Sequence, residues 1–544
     1  MTRRFHPSRI GRLLRGVIVV LALLAPNTPA LAQNLLASAA ADFDEPAGAA
    51  PTGRDPEDGS KDRAPAKLAP APASPDPPPR EPARLPADEP AVELFLEGIE
   101  WGDGSIEAAQ YVEETTRQVL PQAELRGQID REIEARLAGI PRPRYLPATD
   151  FAPPHGLLLY QEDKRKGEFP FALSVSGFLQ LRWLEFARGA TTWTNSAGTE
   201  LPISNINTLS LNRYLLMFAG HVVDERLVYS FALFGTSNNG INTGVSPLGL
   251  AGWKFGPEAT VGMGVLMVPG SREFIDGSPW TLGVDRSMAN TFFRPGVSPG
   301  AAAIGTLGSF HYQAGVFNSI DAGGANVILR RGTSMAWAGN VWWEPLGKFG
   351  LGYSDMEHHA DPAIRVGTTG VHSPNTRALP VPGFNPENTI VRLSDGTPLA
   401  TAGALGPGSV VDAFDFRLAT VDAGWKWRGV SANAEYYVRF LDAFSGTGTF
   451  NRAGLLDHGG AGYLGWAFIP RTWEVYARSS AVTGPFGSGQ EYGGGINRYM
   501  NKSRQGRLTL EAIHMLRNPA QNILYPYRAG ATGTAIQTQF VVAF

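Results

Sequence analysis

From residue 171 to residue 544 the chain consists of runs of about ten residues that alternate apolar and polar side chains, separated by clusters of Gly, Pro, Asn and Asp. A period of two fits extended strands, because successive side chains of a strand point to opposite faces. Across residues 431–440 the even positions are apolar (Ala432, Ala434, Tyr436, Val438, Phe440) and the odd positions mostly polar. Val421, Ala423, Trp425 and Trp427 alternate with Asp422, Gly424, Lys426 and Arg428. Trp473, Val475 and Ala477 alternate with Glu474, Tyr476 and Arg478, and Leu508 and Leu510 lie between Arg507, Thr509 and Glu511.

A soluble sandwich would alternate in the same way, with its apolar side inward. Three features favour a closed membrane barrel instead. Aromatic residues gather at the ends of runs (Trp342, Trp343, Trp425, Trp427, Tyr436, Tyr437, Trp466, Trp473), as girdles at a membrane interface do. Connections alternate between short ones, such as 470–472 and 500–505, and long ones, such as 356–411. The last run places Ile536, Thr538, Phe540, Val542 and Phe544 on one face, opposite Gln537, Gln539, Val541 and Ala543. The 64 Gly and the low charged fraction of 18% suit such a structure, in which turns and lipid-facing surface consume glycine and aromatic residues. Candidate strands number fifteen to seventeen, and even parity selects about sixteen. The expected fold is therefore all-β, a transmembrane antiparallel barrel over 151–544 with an aqueous channel.

Residues 1–32 read as a secretory signal. Arg3, Arg4, Arg9, Arg12 and Arg15 precede a short apolar core at 17–25, and Ala30-Leu31-Ala32 makes an A-x-A cleavage site. Residues 33–92 are rich in Pro, Ala, Asp and Glu and bury too little apolar surface to repay ordering, so they read as a disordered linker. Residues 93–150 read as helical, with Leu125, Ile129, Ile133 and Leu137 at a spacing of four that suits a short coiled coil or a docked helix. After the first thirty residues no apolar run is long enough for a spanning helix.

Charge divides the chain. Residues 33–170 carry 15 Lys+Arg against 26 Asp+Glu, whereas residues 171–544 carry 27 against 24, and 23 of those 27 are Arg. A net charge of −3 excludes a strongly basic nucleic-acid binder, and the absence of Cys removes disulfides, thiolate metal sites and Cys nucleophiles. His221, His311 and His514 stand isolated among apolar or small residues, and no nucleophile is paired with a base in one strand-end cluster, so no enzyme is expected. His358 and His359 with Asp361 sit in a Pro- and Gly-rich stretch without further spaced ligands, which reads as a solvated loop and not a metal site.

Several segments, taken in order, resemble the phosphate-selective porin O/P family from about Gly156 onward. They are Gly177-Phe178-Leu179-Gln180-Leu181-Arg182-Trp183, Leu211 to Gly220 around Arg213, and Val261-Gly262-Met263-Gly264-Val265 through Pro269-Gly270-Ser271-Arg272-Glu273. Asp285-Arg286-Ser287, Phe293-Arg294-Pro295-Gly296 and Tyr312 to Asn318 follow. The end of the chain, with Phe540, Val542 and Phe544, resembles the insertion signal of bacterial outer-membrane barrels. Asn212, Leu215 and Leu266 or Met267 stand where that family often carries cations.

The resemblance implies an exported outer-membrane porin, a homotrimer with its third loop folded into the lumen, passing small anions or other small hydrophilic solutes without a cofactor. The alternation places Arg182, Arg213, Arg417, Lys426, Arg428, Arg439, Arg478 and Arg507 on the lumen face, and the insert 269–299 adds Arg272, Arg286 and Arg294. Guanidinium groups stay charged and offer forked donors to oxyanions, so this set is expected to line an anion path with a modest anion preference. The competing expectation is an outer-membrane anchor, a structural barrel tethered to the cell wall by its N-terminal segment.

Overall fold

The structure is a computed structural model that describes residues 144–146, 156–161, 170–238, 245–321, 335–379, 385–525 and 527–544. The chain divides into Met1–Thr116 and Arg117–Phe544. The signal, the linker and the helical stretch up to residue 143 lie outside the described residues. Arg144–Leu146, at the end of the segment expected to be helical, is instead a strand that pairs with Gly156–Gln161. Pro141, Pro143 and Pro147 around it deny a helix its backbone donors.

Sixteen described strands form a closed antiparallel barrel. They are β1 (Phe171–Arg188), β2 (Ile206–Val222), β3 (Asp224–Gly235), β4 (Val245–Lys254), β5 (Thr260–Met267), β6 (Val297–Leu307), β7 (Phe310–Phe317) and β8 (Ala336–Leu346), followed by β9 (Ala363–Arg377), β10 (Val410–Trp427), β11 (Val430–Thr447), β12 (Gly454–Ile469), β13 (Trp473–Gly484), β14 (Gly487–Tyr499), β15 (Gly506–Leu516) and β16 (Gly533–Ala543). Each pairs with its sequence neighbours, and β16 closes on β1 from Gly533 opposite Arg188 to Ala543 opposite Phe178. Closure leaves no open sheet edge, so every strand finds its backbone partners inside the wall. Gly156–Gln161 continues the seam past the end of β16, pairing with Ala172 to Val175 of β1.

The two faces are inverted relative to a soluble protein. On β13 the inward residues Glu474, Tyr476, Arg478 and Ser480 are buried, while Val475 on the outer face is exposed. Leu464, Trp466, Leu510 and Ile536 are likewise exposed on the outside. An apolar belt around a polar interior is the arrangement of a barrel in lipid.

One strand escaped the sequence reading. The stretch 356–411, expected to be a single long loop, contains β9. Its outer face runs Ile364, Val366, Thr368, Gly370, His372, so the apolar half of the alternation fades after two residues. What remains of the stretch is 356–362 before that strand and 378–409 after it.

Candidate channel constriction

Between β5 and β6 the chain turns inward at Val268 and returns at Gly296, and this inner loop holds two short helices, α1 (Arg272–Ile275) and α2 (Met288–Phe293). Each begins at a serine. Ser271 Oγ accepts from the Phe274 N–H at 3.2 Å, and Ser287 Oγ accepts from the Asn290 N–H at 3.0 Å. Glu273 binds the two helices together, accepting from the Ser287 N–H (2.6 Å), the Ser287 hydroxyl (2.7 Å) and the Tyr463 hydroxyl of β12 (2.5 Å). Glu435 of β11 accepts the backbone N–H groups of Arg272 and Glu273. The loop is thus pinned from across the barrel to the wall around β10–β15.

Two further loops close over the same side. From the short-turn end, residues 347–362 reach inward, and the Tyr353 N–H donates to the Trp280 carbonyl at 3.1 Å. From the long-loop end, residues 385–409 descend into the mouth, where Glu387 meets Arg213, Arg286 and Arg294. His358 and His359 help to anchor the first of these. His358 Nε2 lies 2.8 Å from the Ala467 carbonyl, and His359 pairs with Asp355.

The charged side chains expected along the lumen fall as follows. Arg182 and Arg213 project inward from β1 and β2 and pair with Asp285 of the inner loop at 3.3 and 2.9 Å. A bulge opposite Gln180 and Leu181 turns both Asn212 and Arg213 inward, and Asn212 also reaches Asp285. Arg272 pairs with Asp276 at 3.2 Å and donates to Asn433 at 2.8 Å. Arg286 and Arg294 pair with Glu387. Lys426 donates to the carbonyls of Phe349 and Leu351. Arg439 pairs with Asp457 at 2.7 Å and donates to the carbonyls of Phe292 and Arg392. Arg478 pairs with Glu491 (2.6 Å) and Glu511 (3.2 Å), and Arg507 donates to the carbonyls of Thr281 and Gly283. All of these heads are buried between loop and wall.

Arg417 and Arg428 are corrections. Inward positions on β10 are even (Phe416, Leu418, Thr420, Asp422, Lys426), so Arg417 lies on the outer face, where it is 49% exposed and pairs with Asp442 at 3.2 Å. It stands near the long-loop end of β10, where a charged outer side chain is tolerated. Arg428 sits in the turn after β10 with φ 49° and lies over the Trp427 ring. Phe540, Val542 and Phe544 are exposed, and Phe540 and Val542 share the outer face of β16.

Sequence reasoning missed Arg365, which pairs with Asp276, and Glu387. Arg365 belonged to the unseen strand. Glu387 lies in a loop without periodicity, which carries no positional signal.

The buried acidic and basic side chains match in number. Among the described residues, eleven Lys and Arg and eleven Asp and Glu are buried. Balance across the whole hides a local imbalance. Around the inner loop Arg182, Arg213, Arg286 and Arg294 face two carboxylates, Asp285 and Glu387. Burial opposes ionisation of both acids, but Arg213 and Arg182 outweigh it at Asp285, and Arg286, Arg213 and Arg294 outweigh it at Glu387; each is held at about 2.

The opposite wall carries mainly neutral side chains. Along β3–β7 inward-facing side chains such as Ser230, Leu248, Leu250, Leu266, Ala302 and Gln313 are only half-buried. Gly262 and Gly264 stand among them, and their cramped sites keep the bore free of side chains there: a Cβ on Gly264 would lie 1.9 Å from the Gly249 carbonyl oxygen. From the inner loop, Ile275 and Trp280 keep partial exposure. The arrangement leaves solvent access along a largely neutral wall, with the charged network holding the loops aside.

No family model matches the chain, and no curated protein matches it. Among solved structures it is similar to an anion-selective porin from Comamonas acidovorans, with 10% identity, 69% of this chain and 100% of that chain covered, and a TM-score of 0.44. It is also similar to the outer membrane channel DcaP of Acinetobacter baumannii (8% identity, 71% and 99% covered, TM-score 0.42). A third similar structure is the outer-membrane expressed OmpT of Vibrio cholerae (10% identity, 69% and 98% covered, TM-score 0.40).

Proposed function

We propose that the chain is a porin of a bacterial outer membrane, a passive channel for small hydrophilic solutes. The observation that carries this reading is the asymmetric filling of a closed barrel. Loops tied to the wall by buried charged groups occupy the side that runs from β8 through β16 to β2, and much of the lumen face of β3–β7 is only half-buried. An outer apolar belt supplies the membrane fit. A channel of this kind works by size and field and performs no reaction, so the reading assigns no catalytic residue and no cofactor.

Anion preference enters in reduced form. Arginines paired with buried carboxylates contribute little net field, and the surplus cations around Asp285 and Glu387 supply what bias there is. Phosphate is the anion that the family resemblance names, and a homotrimer is the assembly it implies. In the same reading residues 1–32 direct export, 33–92 form a linker, and the helical segment from 93 lies outside the conducting part.

The test is the current through purified protein in a planar bilayer, followed by its zero-current potential under a KCl gradient. Discrete conductance steps with a small potential on the chloride side fit the proposal. Absence of conductance would leave the barrel as an anchor. A protein lacking residues 33–140 should conduct as the full chain does.

A further inference from the structure

We infer that Arg213, Arg286 and Arg294 form a carboxylate-binding seat in which Glu387, carried on the external loop, occupies the place of a solute carboxylate. The inference rests on the porin reading and adds a ligand class and a competitor to it. Three guanidinium groups converge on one carboxylate. Arg213 Nε donates to Oε1 at 3.0 Å, while Arg286 and Arg294 donate to Oε2 at 2.7 and 2.9 Å. Donors of this kind, aimed at both oxygens, recognise a carboxylate by geometry as well as charge.

The seat belongs to the barrel and its occupant does not. Arg213 lies on β2, and Arg286 and Arg294 lie on the inner loop that β5 and β6 hold at both ends. Glu387 arrives from 385–409; the ties on either side of it are neutral, and farther along the segment Arg439 donates to the Arg392 carbonyl. Asn385 donates to the Ser246 hydroxyl at 2.6 Å, and Asn388 accepts from the Val297 N–H at 2.6 Å.

Positive charge remains in surplus even with Glu387 in place. Arg182 adds a fourth cation beside Asp285, and its Nε and Nη2, with Nε of Arg294, are buried without a hydrogen-bond partner among the described residues. Burial lowers Arg294 below the ordinary arginine range; Glu387 opposes this, and Arg286 and Arg213 add to it. Withdrawing Glu387 would leave these cations with Asp285 alone, which is costly for buried charge. The loop segment therefore leaves the seat by exchange with another anion and not by leaving it empty. A small carboxylate entering from the mouth would take the seat and release the segment.

Acetate is the probe, being the end of the Glu387 side chain without its tether. In the full-length protein acetate should speed tryptic cleavage after Arg392, which is 9% exposed, relative to chloride at matched ionic strength. In Glu387→Gln the seat keeps its donors and loses its resident anion, so acetate should block the KCl current about tenfold more tightly than in the parent, equivalent to 1.4 kcal/mol. Adding Arg286→Gln should abolish that gain, which a merely loosened loop would retain. A conducting Glu387→Gln channel with no gain in acetate block would overturn the seat. If that variant does not fold, unchanged protection of Arg392 in the parent overturns it instead. A parent protein that never conducts would refute the porin reading on separate grounds.

Discussion

The carboxylate of Glu435, on β11, accepts the backbone N–H groups of Arg272 and Glu273 at 2.8 and 3.1 Å. A wall residue thereby holds the first turn of a helix that belongs to the opposite side of the barrel. Tyr437, two residues on along the same face, donates its hydroxyl to the same carboxylate at 2.8 Å. The lumen is narrowed by a loop whose position depends on a few such contacts.

Glu435→Ala should therefore free the inner loop. Two backbone hydrogen bonds to a buried carboxyl are lost, each worth about 1 kcal/mol. Single-channel recording should show larger and noisier current steps, and the thermal unfolding midpoint should fall. Unchanged steps and midpoint would mean that the capping serines and the Glu273 contacts hold the loop without Glu435.

Arg439 gives a stability prediction where the sequence suggested a selectivity one. Its guanidinium is fully buried and pairs with Asp457 while donating to carbonyls of α2 and of the external loop. Arg439→Ala leaves Asp457 buried and uncompensated, at a cost of about 3–5 kcal/mol. Heat-modified gel mobility should reveal the loss at a lower temperature than in the parent. The zero-current potential of the surviving folded channels should not move.

The contrast between these two residues and their sequence signals shows what was legible. Period two placed Glu435, Arg439, Arg478 and Arg507 on the inner face, because strand geometry allows nothing else once the apolar set faces out. Carried back from Asp422 and Lys426, the same period puts Arg417 on the outer face; its charge, and not its register, assigned it to the lumen. β9 was invisible because Thr368, Gly370 and His372 dilute its outer face. Pairing was beyond reach for a different reason. Glu387 lies 174 residues from Arg213, and no local pattern encodes which loop descends onto which arginine.

Acid should release the contacts of Asp285 and Glu387 late. Glu387 and Asp285 both lie outside the strands and are held at about 2, below ordinary values of 4.5 and 3.8. A carboxylate with a depressed folded value contributes stability that is complete above its ordinary value and is lost as pH falls through the folded one. The share of conductance and loop protection that rests on these two acids should be complete above about 4.5 and lost progressively toward about 2. Glu387→Gln should remove the part of that transition due to Glu387. A transition centred well above 4.5 would show that these two acids do not govern the loops.

The route along β3–β7 is tested by adding charge to it. The glycines are poor positions, since a side chain at Gly262 or Gly264 collides with neighbouring backbone. Gln313 is better, because it faces inward on β7 opposite Ile304 and Asn340 and is half-buried. A charge there would lie within a Debye length of about 8 Å of ions passing the wall. Gln313→Arg should shift the zero-current potential toward the chloride side, and Gln313→Glu should shift it toward potassium, with little change in stability. Opposite shifts place the ion path along this wall. If neither substitution moves the potential while both channels conduct, ions pass through the loop network on the β8–β16 side, and its paired arginines regain a direct part in selectivity.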